Sequence, residues 1–529
     1  MESRGNNYYD VRAQDVKLED ITSSANNAEI LRMLRDDDLA SIEEEEGALY
    51  IVDYTFDHGN TFFVKEGDDW GWLGYFIGRN KQIRNLHLFY LPEDGDQVDA
   101  FMEDIKHNKS IEYLDFQHKI EGDSIIDRLA SFIIHNTNLK QLRLFEVDLG
   151  FNCAHRLAVA LIQRQHKSLT RLSLKYNNLS NVALEEIIGA LSGYTQLVSL
   201  YVEENMSRRD QKYYDMLAQI IDLKCITSSR KNAEIFRMLR DDEWDEKEDL
   251  NVADYDSDRG EYFCAEEGDD WGWLGYFIGK NEQIRGLNLY GLPEYVDEDA
   301  FMEGLCRNQL IERLDIRRCD IDISSLSPFI INSRNLRALE LWNVDVSLGN
   351  ASSLAMALSQ RQHKSLTSFV LSRNNLSSEA LAEITAALTG YPYLESFDVS
   401  QNVLIGRDGC ESLGSIIMSA AMHLEQVFHH DDDFDDEGLQ TLVAALTNAT
   451  TLRLLALSSN RSITAAGLRA LSQLFSPACP LALETLFLED MNIGDEGAEA
   501  LADGLISNTA LKHLVITPNL AGITSTGWA

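Results

Sequence analysis

Positive charge is what this sequence has least of. Its 529 residues carry 46 Lys and Arg against 86 Asp and Glu, a formal net charge of −40. Such an excess repels phosphate backbones and anionic lipid headgroups, so direct nucleic-acid or membrane binding is not expected. A protein partner, basic or neutral, fits better. Also lacking is any run of about 18 apolar residues able to cross a bilayer. The opening MESRGNNYYDVRAQ has none of the apolar stretch of a secretory signal. Cysteine is sparse: seven residues, at 153, 225, 264, 306, 319, 410 and 479, with no CxxC pair. They read as reduced core thiols, which places the chain in the cytoplasm or nucleus and not among secreted proteins. Catalytic signatures are missing as well. No GxxxxGK[ST], HExxH or GxSxG occurs, so no phosphate loop, zinc-protease helix or nucleophile elbow is expected. No catalytic residue, cofactor or metal ligand is assigned.

What is present is a folded composition, 44% hydrophobic and 9% aromatic, able to bury a core despite its acidity. At about 100–200 residues per domain, the length implies two to four globular units or a repeat array growing in one dimension. Self-similarity decides for the array. LTRLSLKYNNL begins at 169, LTSFVLSRNNL at 366, LRLLALSSNRSI at 452 and LKHLVITPNL at 511. Further copies begin at 83, 111, 139, 197, 284, 311, 336, 394, 424 and 483, spaced 25 to 31 residues apart within each run. Helix-period stretches rich in Ala and Leu, such as EALAEITAALTG, lie between them.

In LxxLxLxxN the alternating Leu turn one face of a short strand into the core, and the Asn can satisfy backbone groups where the chain leaves the ladder. The pattern resembles the ribonuclease-inhibitor type of leucine-rich repeat protein over roughly residues 83 to 206 and 284 to 529. The resemblance implies a right-handed α/β solenoid, a leucine-rich repeat horseshoe with parallel strands on the concave face and helices on the convex one. The ninth position departs from Asn in several copies, with Cys319, Val147, Val344 and Met491, so those turns are less well specified.

A longer period overlies the first. YYDVRAQDVKLEDITSS at 8 to 24 returns as YYDMLAQIIDLKCITSS at 213 to 229, EGDDWGWLGYFIG at 66 to 78 recurs unchanged at 267 to 279, and QRQHKSLT occurs at 163 and 360. About 205 residues are therefore duplicated in tandem. The expected organisation is a helix-and-hairpin cap at 1–82, five repeats at 83–212, a second copy of the cap at 213–283 and nine repeats at 284–529. Two tandem arrays follow, since an internal cap interrupts stacking. In each cap, ALYIVDYTFDHGNTFFV and DLNVADYDSDRGEYFCA read as two strands joined by an Asp-x-Gly turn, and Trp70, Trp72, Tyr75 and Phe76 would cover the open apolar end. The alternative is a ligand pocket lined by the Trp motif. At the other end, NLAGITSTGWA parallels NRSITAAGLRA, so the last helix is expected to be truncated or that end covered by another chain.

Two acidic stretches are candidates for metal sites. Asp254, Asp256 and Asp258 before Gly260 look like the start of a calcium loop, but Gly is seventh and Ala265 stands at position twelve, against the sixth and twelfth positions an EF-hand needs. The run HHDDDFDDEG at 429 to 438 mixes imidazole with carboxylate. Solvated loops are the expectation for both.

The third, fifth and seventh positions of each repeat point away from the core. They supply Phe89, Tyr113, Arg143, Phe145, Arg171, Lys175, Tyr201, Tyr290, Arg313, Arg317 and Trp342. Aromatic residues and Arg are enriched in protein interfaces because large rigid side chains bury area at low entropic cost. The seventh position of the first and third repeats is aromatic in both copies: Phe89 and Tyr290, Phe145 and Trp342. The leading expectation is a non-enzymatic scaffold holding a protein partner on this face, with the acidic loops steering a basic partner. A GTPase-activating protein of the Ran GTPase-activating type and an acidic chaperone of basic proteins are the competing readings. Nucleotide-dependent immune-type receptors share the repeat, but without a phosphate loop the chain would correspond only to a fragment of one.

Overall fold

The computed structural model describes residues 7–39, 47–53, 60–92, 94–117, 124–202, 205, 211–245, 247, 249–253, 262–267, 269–292, 298–402, 405–419, 423–432, 434–517 and 522–527. The chain forms two compact units, Met1–Cys225 and Ile226–Ala529.

The sheet of the first unit has seven strands, all parallel. From one edge they are Thr61–Phe63, Ala48–Val52, Asn85–Leu88, Tyr113–Gln117, Gln141–Phe145, Arg171–Ser173 and Ser199–Tyr201. The second unit has eleven parallel strands, starting from Tyr262–Cys264 and Leu250–Ala253 and continuing from Gly286–Tyr290 to His513–Val515 in chain order. Within each repeat run, strand alternates with helix, which makes each unit an α/β solenoid. The repeat leucines form its interior: Leu142, Leu144, Leu172, Leu174, Leu339 and Leu341 are all at most 1% exposed. Each such burial contributes about 2 kcal/mol before chain entropy is counted.

The two cap strands are not a hairpin. Ala48–Val52 pairs with Thr61–Phe63 in parallel, Tyr50 opposite Thr61, and on its other side with Asn85–Leu88, Tyr50 opposite His87. The first strand thus occupies the place of one more coil in the same sheet, because its apolar face must continue the core. The second unit repeats this arrangement. The Asp-x-Gly turns and the proposed calcium loop, with Asp254, Asp256 and Asp258, lie outside the described residues. The Trp motif is the helix of that coil, Trp70–Arg79, and Trp70, Trp72, Tyr75 and Phe76 are buried within it. Trp72 stacks on Phe76 at 5.6 Å and meets Tyr9 edge-on at 4.8 Å, so packing takes up the ring faces that a ligand pocket would need. Gly74 allows the close approach to the next helix, Gly95–Ile105: a Cβ there would lie 2.7 Å from the Phe101 backbone.

Two ladders of polar side chains stitch the coils together. After most of the described repeat strands the eighth position takes a left-handed φ, as at Tyr176, Arg373, Gln401, Asp431 and Ser459, and the ninth-position Asn bridges to the preceding coil. Asn177 accepts from the Val147 amide at 2.8 Å and donates to the Leu144 carbonyl at 2.7 Å; Asn374 does the same for Val344 and Leu341. The turns with Val at position nine are therefore completed by the next coil's Asn. The second ladder runs along the helix-to-strand turns. Asn108 accepts from the amides of Ser110 and Ile111 and donates to the carbonyls of Ile77 and Asn80. In the QRQHKSLT coils an arginine takes over: Arg164 donates to the carbonyls of Ile133, Leu139 and His166, and Arg361 to those of Ile330, Leu336 and His363. Both are 1% exposed, held by carbonyl dipoles where buried charge is normally matched by a carboxylate.

Candidate interaction face

Strand register arranges the outward side chains in rows. In the first unit the middle row runs Tyr50, His87, Asp115, Arg143, Ser173, Tyr201. Its centre is Asp115, only 2% exposed. Its carboxylate faces Arg143 Nη1 at 3.1 Å and His87 Nδ1 at 3.5 Å, and accepts from Gln117 Nε2 at 3.2 Å. The guanidinium of Arg143 lies 4.8 Å over the Phe145 ring, His87 stacks on Tyr50 at 4.3 Å, and Tyr113 meets His87 edge-on at 5.3 Å. Burial, reinforced by Asp115, pushes the Tyr113 hydroxyl up to about 12, so it stays a neutral donor. Lys175 sits 5.4 Å from the Tyr201 ring. Tyr113, Arg143 and Phe145 thus form one cluster, Lys175 and Tyr201 a second. Phe89 stands 5.9 Å from the His87 ring and joins the first cluster, while Arg171 is exposed on the neighbouring row.

The second unit builds the same centre differently. Asp315, at the position equivalent to Asp115, receives Arg317 from its own strand through Nε at 2.9 Å and Nη2 at 2.7 Å. Arg317 lies between two rings, 5.8 Å from Tyr290 and 5.0 Å from Trp342, and Trp342 Nε1 donates to Glu340 at 3.3 Å. Hydrogen bonding to Asp315 holds the guanidinium charged more firmly than usual. Arg313 is ion-paired with Asp249. The arginines expected as anchors for a partner are therefore largely neutralised from within. They orient the rings, and they spend less charge on the outside than the sequence reading assumed.

Two features escaped that reading. The aspartate hubs are one, signalled in the sequence only by LDF at 114 to 116 and LDI at 314 to 316, matching places in the duplication. The other is the outward row of the later coils, Asp398, Phe428, Ala456, Phe487, Val515, where Phe428 and Phe487 are half-buried around Ala456. Ahead of them the same row runs Asn251, Asn288, Asp315, Glu340, Val370, so three carboxylates precede its apolar end.

The run 429 to 438 is not a solvated loop. His429 and Asp432 are fully buried, Nδ1 to Oδ2 at 2.6 Å, and Phe434 stacks on the imidazole at 4.5 Å. His429 occupies the sixth position, where the neighbouring coils have Leu or Val, and Asp432 the ninth, where they have Asn. Asp432 accepts from the Asn402 amide at 2.5 Å, as a ladder Asn would, but a carboxylate cannot also donate. Burial favours neutral forms, yet the Asp432 carboxylate overrides it and lifts His429 to about 10. Cys410 Sγ lies 3.8 Å from His429 Nε2. This thiol, imidazole and carboxylate follow one another in a line, but all three are sealed from solvent, so no substrate reaches them. Among the described residues no three His, Cys, Asp or Glu side chains are grouped to hold a metal ion, and no helix is long and apolar enough to cross a membrane.

The Leucine Rich repeat family model matches residues 448–472 and 483–502. Among curated proteins, the NACHT, LRR and PYD domains-containing protein 5 of Mus musculus is 27% identical over 258 residues, 47% of this chain and 22% of its own length. The chain thus spans about a fifth of that relative. Solved structures with some likeness include the Rad7 and Elc1 complex of yeast (14% identity, 69% of this chain and 79% of that one, TM-score 0.31). LegL7, a leucine-rich repeat-containing protein of Legionella pneumophila, shares 17% identity over 67% of this chain and 85% of its own, with a TM-score of 0.29. Whole solenoids do not superpose at such scores, and the class rests on the coils and the family model. The fold is that of a leucine-rich repeat solenoid, a class whose members act in general as protein-interaction scaffolds.

Proposed function

We propose that this protein is a non-enzymatic scaffold that holds a basic protein partner on the outward strand faces of its two units. One observation carries the reading: in both units a buried aspartate fixes an arginine against an aromatic ring, Asp115–Arg143–Phe145 and Asp315–Arg317–Trp342. Rings immobilised before binding lose little entropy on contact, which is what makes aromatic anchors effective. In the second unit Glu340 adds negative charge beside Trp342 and Asp398 adds more two strands away, and the surplus of −40 speeds the approach of a basic partner in a salt-dependent way. The test is quantitative affinity purification with the wild-type chain and the Phe145→Ala/Trp342→Ala variant. The variant is expected to lose the specific partners retained by wild type, whereas an unchanged set would refute the assignment to this face.

A further inference from the structure

In the first unit, the turns from helix Trp70–Arg79 into strand Asn85–Leu88 and from helix Gly95–Ile105 into strand Tyr113–Gln117 enclose a cleft of about 510 Å³. Every ionisable side chain on its wall is basic: Arg79, Lys81, Arg84, His107 and Lys109. In a chain of net charge −40 this is a local inversion. Cations commonly gather at helix C-termini to meet unpaired carbonyls, but here Asn108 already donates to the carbonyls of Ile77 and Asn80 at 2.6 and 2.8 Å. The basic groups are also pre-oriented. Arg84 is held by the Ser110 carbonyl at 3.2 Å and Lys109 by that of His135 at 2.8 Å, while Arg79 lies 3.7 Å over the Tyr75 ring and pairs with Asp10 at 2.7 Å and Asp104 at 3.7 Å. Asp37, the acid next to Lys81, caps that residue's amide. Burial together with the charges of Lys106, Arg79 and Lys109 pushes the His107 imidazole below its ordinary range, and Glu103 only partly opposes them.

The duplication supplies an internal comparison. The positions of Arg79, Lys81, Arg84, His107 and Lys109 hold Lys280, Glu282, Arg285, Arg307 and Gln309 in the second unit. Counting lining side chains alone, with His neutral, the wall falls from four positive charges to a net two; one arginine is paired with acid in each copy, Arg79 with Asp10 and Asp104 and Arg307 with Glu303. Lys81 is exposed and bridges no other described side chain, so folding alone does not require it; Lys109, also exposed, donates to the His135 carbonyl and so also serves the coil behind it.

We propose that this cleft is an anion site for a phosphate monoester, carried on a phosphorylated side chain of a protein partner. Such a group brings about two negative charges and three acceptor oxygens, which guanidinium forks and lysine ammonium groups match. The volume suits one modified residue with its neighbours. A long polyanion would extend beyond a Debye length of about 8–10 Å into repulsive acidic surface, so a short ligand is selected over a nucleic-acid strand. The site lies on the helix-to-strand edge and stands independently of the outward strand face.

The test measures binding of the full-length chain to a degenerate phosphoserine-centred peptide pool, its unphosphorylated counterpart, O-phosphoserine and inorganic phosphate, by calorimetry at low ionic strength. The variant Lys81→Glu/Lys109→Gln installs the residues that the second unit has there, and circular dichroism verifies its fold. Wild type is expected to prefer the phosphorylated pool by about tenfold or more, and the variant to lose most of that preference. Comparable binding of inorganic phosphate, lost in the variant, would identify a free anion as the ligand. Glu282→Lys/Gln309→Lys is expected to confer additional phosphate binding. Absence of phosphate-dependent binding at millimolar ligand, or binding untouched by Lys81→Glu/Lys109→Gln, would overturn the proposal.

Discussion

The His429–Asp432 pair offers the sharpest test of how these coils are held together. Both side chains are fully buried and meet at 2.6 Å, at places where the solenoid otherwise has an aliphatic residue and an asparagine. Removing one partner leaves the other charge enclosed. His429→Leu strands the Asp432 carboxylate with the Asn402 amide as its remaining donor in the cluster, which costs about 3–5 kcal/mol. Asp432→Asn is gentler, because His429 can shed its proton and Asn fits the ladder; about 1–3 kcal/mol is expected. The double variant His429→Leu/Asp432→Asn restores the pattern of the neighbouring coils and is expected to match wild type or exceed it by about 1–4 kcal/mol. The coupling energy of this cycle should therefore reach about 3 kcal/mol or more. Urea unfolding of all four chains at pH 7 measures it. A pH series adds a second readout. His429 titrates near 10 when folded and near 6.5 when unfolded, so its contribution is complete below about pH 6.5 and is lost as pH rises through about 10, at most about 1.4 kcal/mol per pH unit. Wild type minus the double variant should show this slope. Additive single effects, or a flat difference across that range, would refute the assignment of a compensated buried pair.

Two further perturbations probe the ladders and the cap. Arg361→Met deprives the buried carbonyls of Ile330, Leu336 and His363 of their donor and is expected to lower stability by about 3–5 kcal/mol, read as a fall in the urea midpoint. Gly74→Ala places a methyl group 2.7 Å from the Phe101 backbone and should cost about 1–3 kcal/mol. Gly189→Ala, whose new methyl meets nothing beyond its own helix backbone within 4 Å, should instead stabilise its helix by about 0.5–1 kcal/mol in the same urea experiment.

Periodicity made the architecture legible. LxxLxLxxN states which side chains face inward, and the spacing of copies states that a helix must return the chain between strands. Each repeat has one strand, from Asn85–Leu88 to Ser199–Tyr201 and from Gly286–Tyr290 to His513–Val515. The cap strands were misread because Asp-x-Gly between apolar runs has the same local signature whether the strands return antiparallel or join an existing parallel sheet. The interaction face was legible as a set of residue types but not as an arrangement. Phe145 and Trp342 could be listed from the seventh position, but that each lies against an arginine clamped by a buried aspartate depends on register between strands about 28 residues apart in the chain.

Local pattern decided everything that repeats: the strand and helix alternation, the leucine core, and the outward positions. These depend on neighbours a few residues away, and the chain states them fourteen times. Tertiary packing alone decided which groups of like appearance share one environment. The acidic run after Phe428 reads as uniform, yet stacking buries His429 and Asp432 and leaves Asp431 exposed. Likewise the excess of −40 charges reads as a property of the whole molecule, while two adjacent turns bring five basic side chains around one cleft. Electrostatics follows distance in space, and a sequence with few positive charges reveals where they converge only once its coils are stacked.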